Sequence, residues 1–151
     1  MPDRVEFELV TPERLLLSEM VEMVVVPGTE GNFGVLPGHA PLISTIRPGM
    51  IEIYEGRTSV KRLFVAGGIA EVTPERCTVL ADAAMPPEAL DRATIEIELQ
   101  TVEGNLPSLR EQVARAVADT GRERLLIELR RLEREQAVLQ AKLQALGEIA
   151  R

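Results

Sequence analysis

The chain contains no tryptophan, one tyrosine and three phenylalanines among 151 residues, so its interior must be built from aliphatic side chains. Its single cysteine, Cys77, excludes an intramolecular disulfide framework and a cysteine-based metal cluster. Its single histidine, His39, excludes the multi-histidine metal motifs, and no metal site is expected. A basic balance is also missing. The net charge of −7 argues against a nucleic-acid partner, because phosphate binding needs a basic face. No apolar run approaches the roughly 20 residues that span a bilayer. The N-terminal Met1-Pro2-Asp3-Arg4-Val5-Glu6 carries acids where a signal peptide needs its apolar region. The expectation is a soluble chain of a reducing compartment, with no direct membrane insertion.

What is present divides the chain in two. Residues 1–87 hold nine of the ten prolines and eight of the eleven glycines. Turn residues at short intervals mark β-structure, and their scarcity afterwards permits long helices. The fold class expected is therefore β then α: an N-terminal aliphatic β-sandwich or flattened barrel of about ten strands over 1–86, then a C-terminal helical hairpin over 87–151. The period-2 pattern is clearest in Val5-Glu6-Phe7-Glu8-Leu9-Val10, with three apolar residues on one face and glutamates opposite. Leu15-Leu16-Leu17, 21–26, 41–46, 50–54, 59–65, 69–72 and 77–81 read as further strands. Arg47-Pro48-Gly49 reads as a tight turn and Gly67-Gly68 as a break or bulge.

The stretch Gly28-Thr29-Glu30-Gly31-Asn32-Phe33-Gly34-Val35-Leu36-Pro37-Gly38-His39-Ala40-Pro41-Leu42 packs four glycines, two prolines and the histidine into fifteen residues. Glycine admits positive φ and proline fixes φ near −65°. A pair of tight turns between strands is expected there.

In the second half, Pro86-Pro87-Glu88 suits a helix start. Leu90, Ala93 or Thr94, Ile97 and Thr101 share a face at spacings of three and four. Residues 102–105 are expected to end that helix, Pro107 to forbid its continuation, and Ser108-Leu109-Arg110-Glu111 to cap a new one bearing Leu109, Val113 and Ala116 or Val117. Thr120-Gly121-Arg122-Glu123 either starts another helix or sits inside one. The last segment has the strongest periodicity: Leu125, Leu129, Leu132, Gln136, Leu139, Leu143 and Leu146 alternate steps of four and three. This seam serves either a hairpin within its own domain or, in addition, a partner helix.

The chemistry of catalysis is not found. Gly28, Gly31 and Gly34 suggest a phosphate loop, but the lysine that must end such a loop is missing. His39 has no recognisable nucleophile beside it. Glu6 and Glu8 read as a solvated strand face, and Glu96 and Glu98, two apart on a helix, do not face each other. No catalytic residue and no cofactor are assigned. Residues 110–134 carry seven arginines against five acids. Arg122, Arg124, Arg130, Arg131 and Arg134 form either a solvated helix face with glutamate partners or a surface that docks on an acidic protein.

Residues 27–42, Arg47-Pro48-Gly49, Val65-Ala66-Gly67-Gly68-Ile69-Ala70-Glu71-Val72 and Val79-Leu80-Ala81-Asp82 together resemble the epsilon subunits of bacterial F-type ATP synthases, which are counterparts of the mitochondrial delta subunit. The resemblance implies a noncatalytic rotor subunit of the central stalk, coupling the gamma subunit to the c-ring during proton-driven synthesis. It implies a c-ring contact at Glu30, Gly31 and Asn32 and a gamma contact at His39. Many relatives carry an acid where this chain has Asn32. It further implies helical arms that fold down or extend, the extended arm inhibiting ATP hydrolysis. Arg122, Arg124, Arg130, Arg131 and Arg134 would then contact the alpha and beta subunits. The implied location is peripheral, on the cytoplasmic face of the bacterial inner membrane. Some relatives bind ATP through Ile/Leu-Asp-x-x-Arg-Ala. Here Leu90 and Asp91 match, but Thr94 and Ile95 replace the last two residues, so no nucleotide binding is expected. Two other readings stay open: a purely structural rotor part with locked arms, and an unrelated β-domain with a coiled-coil dimerisation tail.

Overall fold

A computed structural model describes residues 3–118 and 120–149, and all side chains in that span except that of Val60. Met1-Pro2, read above with the N-terminus, and the last two residues of the expected helical domain lie outside the described residues. The chain divides into two compact units, 1–89 and 90–151.

The first unit holds ten strands, β1 (Val5–Val10), β2 (Leu15–Val21), β3 (Met23–Gly28), β4 (Gly31–Val35), β5 (Leu42–Ile46), β6 (Gly49–Glu55), β7 (Thr58–Val65), β8 (Gly68–Val72), β9 (Arg76–Ala81) and β10 (Ala84–Met85). They form one hydrogen-bonded sheet in the order β10-β7-β6-β3-β5-β8-β9-β1-β2, with β4 added on β3. The junction between β3 and β5 is a single pair, Gly28 with Ile46. There the sheet folds over, so that β10-β7-β6-β3-β4 faces β5-β8-β9-β1-β2 as a sandwich. Neighbours are antiparallel except β1 and β9, which run parallel.

The alternation read from the sequence places the core. Val5, Phe7 and Leu9 of β1 are fully buried, as are Val24 and Val26 of β3 and Val79 of β9. Apart from Phe7, the enclosed cluster is aliphatic and includes Cys77. Full burial of one such side chain contributes about 1.5–3 kcal/mol. At the outer edges, Arg4 pairs with Glu55 at 2.8 Å and Lys61 with Glu19 at 3.1 Å. Exposed pairs of this kind add roughly 0–1 kcal/mol each, so packing and the strand ladder carry the unit.

Gly67 and Gly68 have φ of 108° and 145°, and here the chain leaves β7 and enters β8 in the other layer. A Cβ on Gly68 would lie 2.1 Å from the Leu80 carbonyl oxygen. Glycine is obligatory at that crossing because a backbone occupies the space a side chain needs.

The glycine-rich stretch differs from the expectation of two turns alone. Between the turns lies β4, which pairs with β3 from Val24–Val35 to Gly28–Gly31. Backbone pairing supplies what the glycine-poor propensity of a strand lacks. Strand β2 also runs further than the three leucines, to Val21, and β3 begins only at Met23.

The second unit consists of α1 (Arg92–Arg115) and α2 (Thr120–Ile149), which pack on each other. Ion pairing of Arg110 with Glu133 and a hydrogen bond from Gln136 to Glu103 match an antiparallel hairpin. Pro86-Pro87-Glu88 does not start the α-helix. Pro87–Ala89 forms a short 3₁₀ turn that belongs to the first unit, and Asp91 caps α1 by accepting from the Thr94 amide.

Three further expectations about α1 are corrected. It is continuous through residues 102–105 and through Pro107, so Ser108 caps nothing. Proline in a helix interior costs about 3 kcal/mol. Pro107 is exposed, so the Glu103 carbonyl it leaves without a donor can be solvated, while Leu106 and Leu109 beside it are buried. Two such burials match or exceed the proline penalty. The buried face is also not Leu90, Ala93 or Thr94, Ile97 and Thr101: Ile97 is 65% exposed, and Ala93, Thr94 and Thr101 are exposed. The true face is Ile95, Leu99, Val102, Leu106, Leu109 and Val113, again alternating steps of four and three. Val117, offered as a face residue, lies past the helix end and is 77% exposed. Helix α2 presents the predicted seam: Leu132 and Leu139 are buried and the other five members half-buried, Gln136 among them. Gly121 sits in the first turn of α2 and does not break it.

Candidate functional site

Two places in the chain carry the features singled out by the sequence. The first is the hairpin of β3 and β4. Its strands end on the pair Gly28–Gly31, so Thr29 and Glu30 form a two-residue tip. Gly31 has φ of 134°, a region in which side chains are strained, and a Cβ there would meet nothing. Gly28 is needed for space: a Cβ would lie 2.8 Å from the Gly31 carbonyl oxygen and 3.0 Å from the Phe33 ring. Thr29, Glu30, Gly31 and Asn32 are all exposed. Among the described residues the Glu30 carboxylate has no hydrogen bond or ion pair, so it projects as a free negative charge.

The tip stands on a defined base. The Thr29 amide donates to the Thr45 carbonyl at 3.1 Å, and the Arg47 amide donates to the Pro27 carbonyl at 2.9 Å. Beside the tip, a groove of about 500 Å³ is lined by residues 28–33 and 42–45. Ile43, 74% exposed, projects next to it.

Asn32 is not a free surface group. Its Oδ1 accepts from the Arg47 guanidinium at 2.6 Å, which also donates to the Gly28 carbonyl at 2.5 Å. Sequence reasoning missed Arg47 as a site residue. The only local signal was the Arg47-Pro48-Gly49 turn, and its partners lie 19 and 15 positions earlier.

His39 lies at the opposite end of β4 from the tip. Leu36-Pro37-Gly38-His39 is a tight turn in which the His39 amide donates to the Leu36 carbonyl at 3.1 Å. Pro37 in second place and Gly38, with φ of 82°, in third are the residues a type II turn selects. The Gly38 amide donates to the Pro74 carbonyl at 2.8 Å and so anchors the turn on the neighbouring loop. The His39 ring is half-buried, with Nδ1 2.7 Å from the Ala40 carbonyl oxygen. The hairpin thus brings Glu30, Gly31 and Asn32 together at one end and sets His39 apart at the other.

The second place is the polar side of α2. At about 100° per residue, Arg130 and Arg134 fall roughly opposite the leucine seam, with Arg124 and Arg131 toward its flanks. Arg122 falls nearer the seam and is half-buried. The five arginines are therefore not one face. Arg131 is engaged on its own helix by Glu128 at 2.6 Å and Glu135 at 4.0 Å. Hydrogen bonding to Arg131 holds the Glu128 carboxyl below its ordinary range, and the same bond raises the Arg131 guanidinium.

The remaining candidate chemistry resolves into structural roles. Glu6 and Glu8 both face Arg76 of β9, at 3.1 and 3.2 Å. Asp91 accepts from the Thr94 amide at 3.3 Å and from its hydroxyl at 2.5 Å, so its carboxylate is committed to capping α1. Ile95 is buried in the hairpin seam. Among the described residues no group of three or more histidine, cysteine, aspartate or glutamate side chains is placed to hold a metal ion. Burial pushes the Cys77 thiol up to about 12.

Residues 4–87 match the family described as ATP synthase, Delta/Epsilon chain, beta-sandwich domain. An ATP synthase epsilon chain of Rhodospirillum rubrum is 52% identical over 118 residues, covering 78% of this chain and 88% of that one. One from Rhodospirillum centenum is 49% identical over 145 residues, covering 95% of this chain and 92% of that one. Among solved structures, a chain of the Euglena gracilis mitochondrial ATP synthase, in an assembly of OSCP, F1 and c-ring, has a TM-score of 0.71. That match covers 97% of this chain and 83% of that chain at 21% identity, a likeness in fold.

Proposed function

The chain belongs to the delta/epsilon-chain family of ATP synthase, and from that premise we propose that it is a noncatalytic central-stalk subunit that couples the gamma subunit to the c-ring during proton-driven ATP synthesis. The observation that carries this reading is the β3–β4 hairpin. One hydrogen-bonded element presents an exposed tip with a free carboxylate, Glu30, at one end and the anchored His39 turn at the other. A coupling part must touch two bodies and must not yield between them. In the proposed arrangement Glu30, Gly31 and Asn32 meet the c-ring and His39 meets gamma. The sandwich supplies stiffness, because its closed aliphatic core deforms only at the cost of packing.

The helical unit is proposed as an arm that inhibits ATP hydrolysis when it leaves its hairpin packing and lays its arginines on acidic parts of the alpha and beta subunits. Arg130 and Arg134 are placed for this on the side away from the seam and Arg124 at its flank, and Arg131 must first give up Glu128. The switch works only if the two packings differ by a few kcal/mol. ATP is not a ligand of this arm in the proposal, since Asp91 caps α1 and Ile95 fills the seam. Among the described residues no helix is long and apolar enough to cross a membrane. The proposed location is peripheral, within the complex, on the cytoplasmic face of the inner membrane.

Deleting residues 90–151 and assaying the assembled complex tests the arm. ATP hydrolysis is expected to rise while ATP synthesis is retained. Unchanged hydrolysis would remove the inhibitory role and leave a structural rotor part.

A further inference from the structure

Arg47 stands at the corner between β5 and β6, followed by Pro48, which restricts it to extended backbone. Its planar guanidinium reaches back to the hairpin and donates to two acceptors, the Gly28 carbonyl at 2.5 Å and the Asn32 Oδ1 at 2.6 Å. These acceptors flank Thr29, Glu30 and Gly31. One fork therefore spans the tip from both sides. The groove between the tip and residues 42–45 leaves the tip otherwise unsupported on that side, apart from the Thr29 amide bond to Thr45. The glycine at 31 makes the segment locally permissive, and beyond the closing Gly28–Gly31 pair its position is fixed by contacts that are distant in sequence.

We infer that Arg47 is the positioning residue of the tip: it locks Thr29 to Gly31 so that Glu30 points outward, and the Asn32 side-chain oxygen is its internal acceptor. The inference rests on the proposed reading of the tip as a coupling contact, and it divides the roles within it. Glu30 meets the partner, and Asn32 with Arg47 holds Glu30 in place. A guanidinium fork fits this task better than an ammonium, which offers a point charge and no fixed pair of donors. Because Asn32 is neutral, the latch does not titrate in the native chain. An aspartate at 32 would form a charge-assisted pair with Arg47 and make the latch depend on pH.

The test has two arms. In the isolated full-length chain, amide hydrogen exchange at Thr29 reports opening of the tip. Arg47→Ala is expected to speed it by about tenfold or more. Asn32→Ala should do nearly the same, and the double variant no more than either. Arg47→Lys should recover part of the protection. Asn32→Asp should restore it at neutral pH and lose it as the carboxylate is protonated at acid pH, whereas the native chain shows no such pH step. Exchange within twofold of native in Arg47→Ala, or additive effects in the double variant, overturns the latch. In the assembled ATP synthase, protons pumped per ATP are compared for Arg47→Ala and Glu30→Gln. Both are expected to fall. If only Glu30→Gln falls, the tip is a contact but Arg47 does not position it. If neither falls, the reading of the tip as a coupling contact fails, whatever the exchange data show.

Discussion

Replacing Gly68 by alanine should strongly destabilise the sandwich. The added Cβ would sit 2.1 Å from the Leu80 carbonyl oxygen, 2.9 Å from the Ala81 Cα and 3.0 Å from the Leu80 carbonyl carbon. All three are backbone atoms, so no side chain can rotate away. Relief requires β8 and β9 to separate where Gly68 pairs with Ala81. Holding alanine at φ of 145° adds strain of about 1–3 kcal/mol. Losing one or two ladder hydrogen bonds adds about 1 kcal/mol each. The total is about 2–5 kcal/mol, a large share of the 5–15 kcal/mol typical of a folded domain. The chain has no tryptophan, and its only tyrosine, Tyr54, lies on β6, so intrinsic fluorescence reports the sandwich alone. In urea the midpoint should fall by about 1–5 M for a slope of 1–2 kcal/mol/M. A fall below about 0.5 M would refute the argument that backbone occupies this space. Gly104→Ala is the matched control. Its Cβ would meet nothing on α1, and it should stabilise the helical unit by about 0.5–1 kcal/mol.

Cys77, buried with its thiol pushed up to about 12, should resist thiol reagents in the native chain at pH 8 and react fully in denaturant. The folded state holds this proton above the pH at which the unfolded thiol releases it. Its contribution to stability is therefore complete below about pH 9 and declines between about 9 and 12, by up to about 1.4 kcal/mol per pH unit. Urea titrations of native and Cys77→Ala chains across that window check the slope, which should be shallower in the variant. Gln136→Leu should stabilise the hairpin by about 0.5–1 kcal/mol, since apolar burial at a half-buried seam position outweighs one exposed hydrogen bond to Glu103. Thermal melts of the helical signal check that, and weaker inhibition of hydrolysis in the assembled complex would accompany it if the arm must unpack to act.

The sandwich was legible where burial is one-sided. Val5, Phe7 and Leu9 alternate with glutamates, and the structure buries these three and leaves Glu6 and Glu8 half-buried. Strand β4 was hidden because Gly31, Asn32 and Gly34 are turn formers by composition, and only pairing with β3 makes them a strand. The α2 seam was legible because seven positions repeat without interruption. The α1 seam obeys the same spacing but was concealed by Pro107, whose local penalty suggested a helix end that tertiary burial of Leu106 and Leu109 overrides. At the tip, Glu30 to Asn32 could be picked out as an exposed turn. The latch could not, because Arg47 meets Gly28 and Asn32 only after the sheet folds at the β3–β5 corner. Arg122 is close to the other arginines in sequence, whereas helical phase sets it near the seam.

The most direct test of the rotor account places a single cysteine at position 30 and, separately, at position 39 in the assembled ATP synthase. The native Cys77 is buried and need not be removed. Short-span crosslinking should join position 30 to a c subunit and position 39 to gamma. Crosslinks in the reverse assignment, or none to the ring from position 30, would contradict the account.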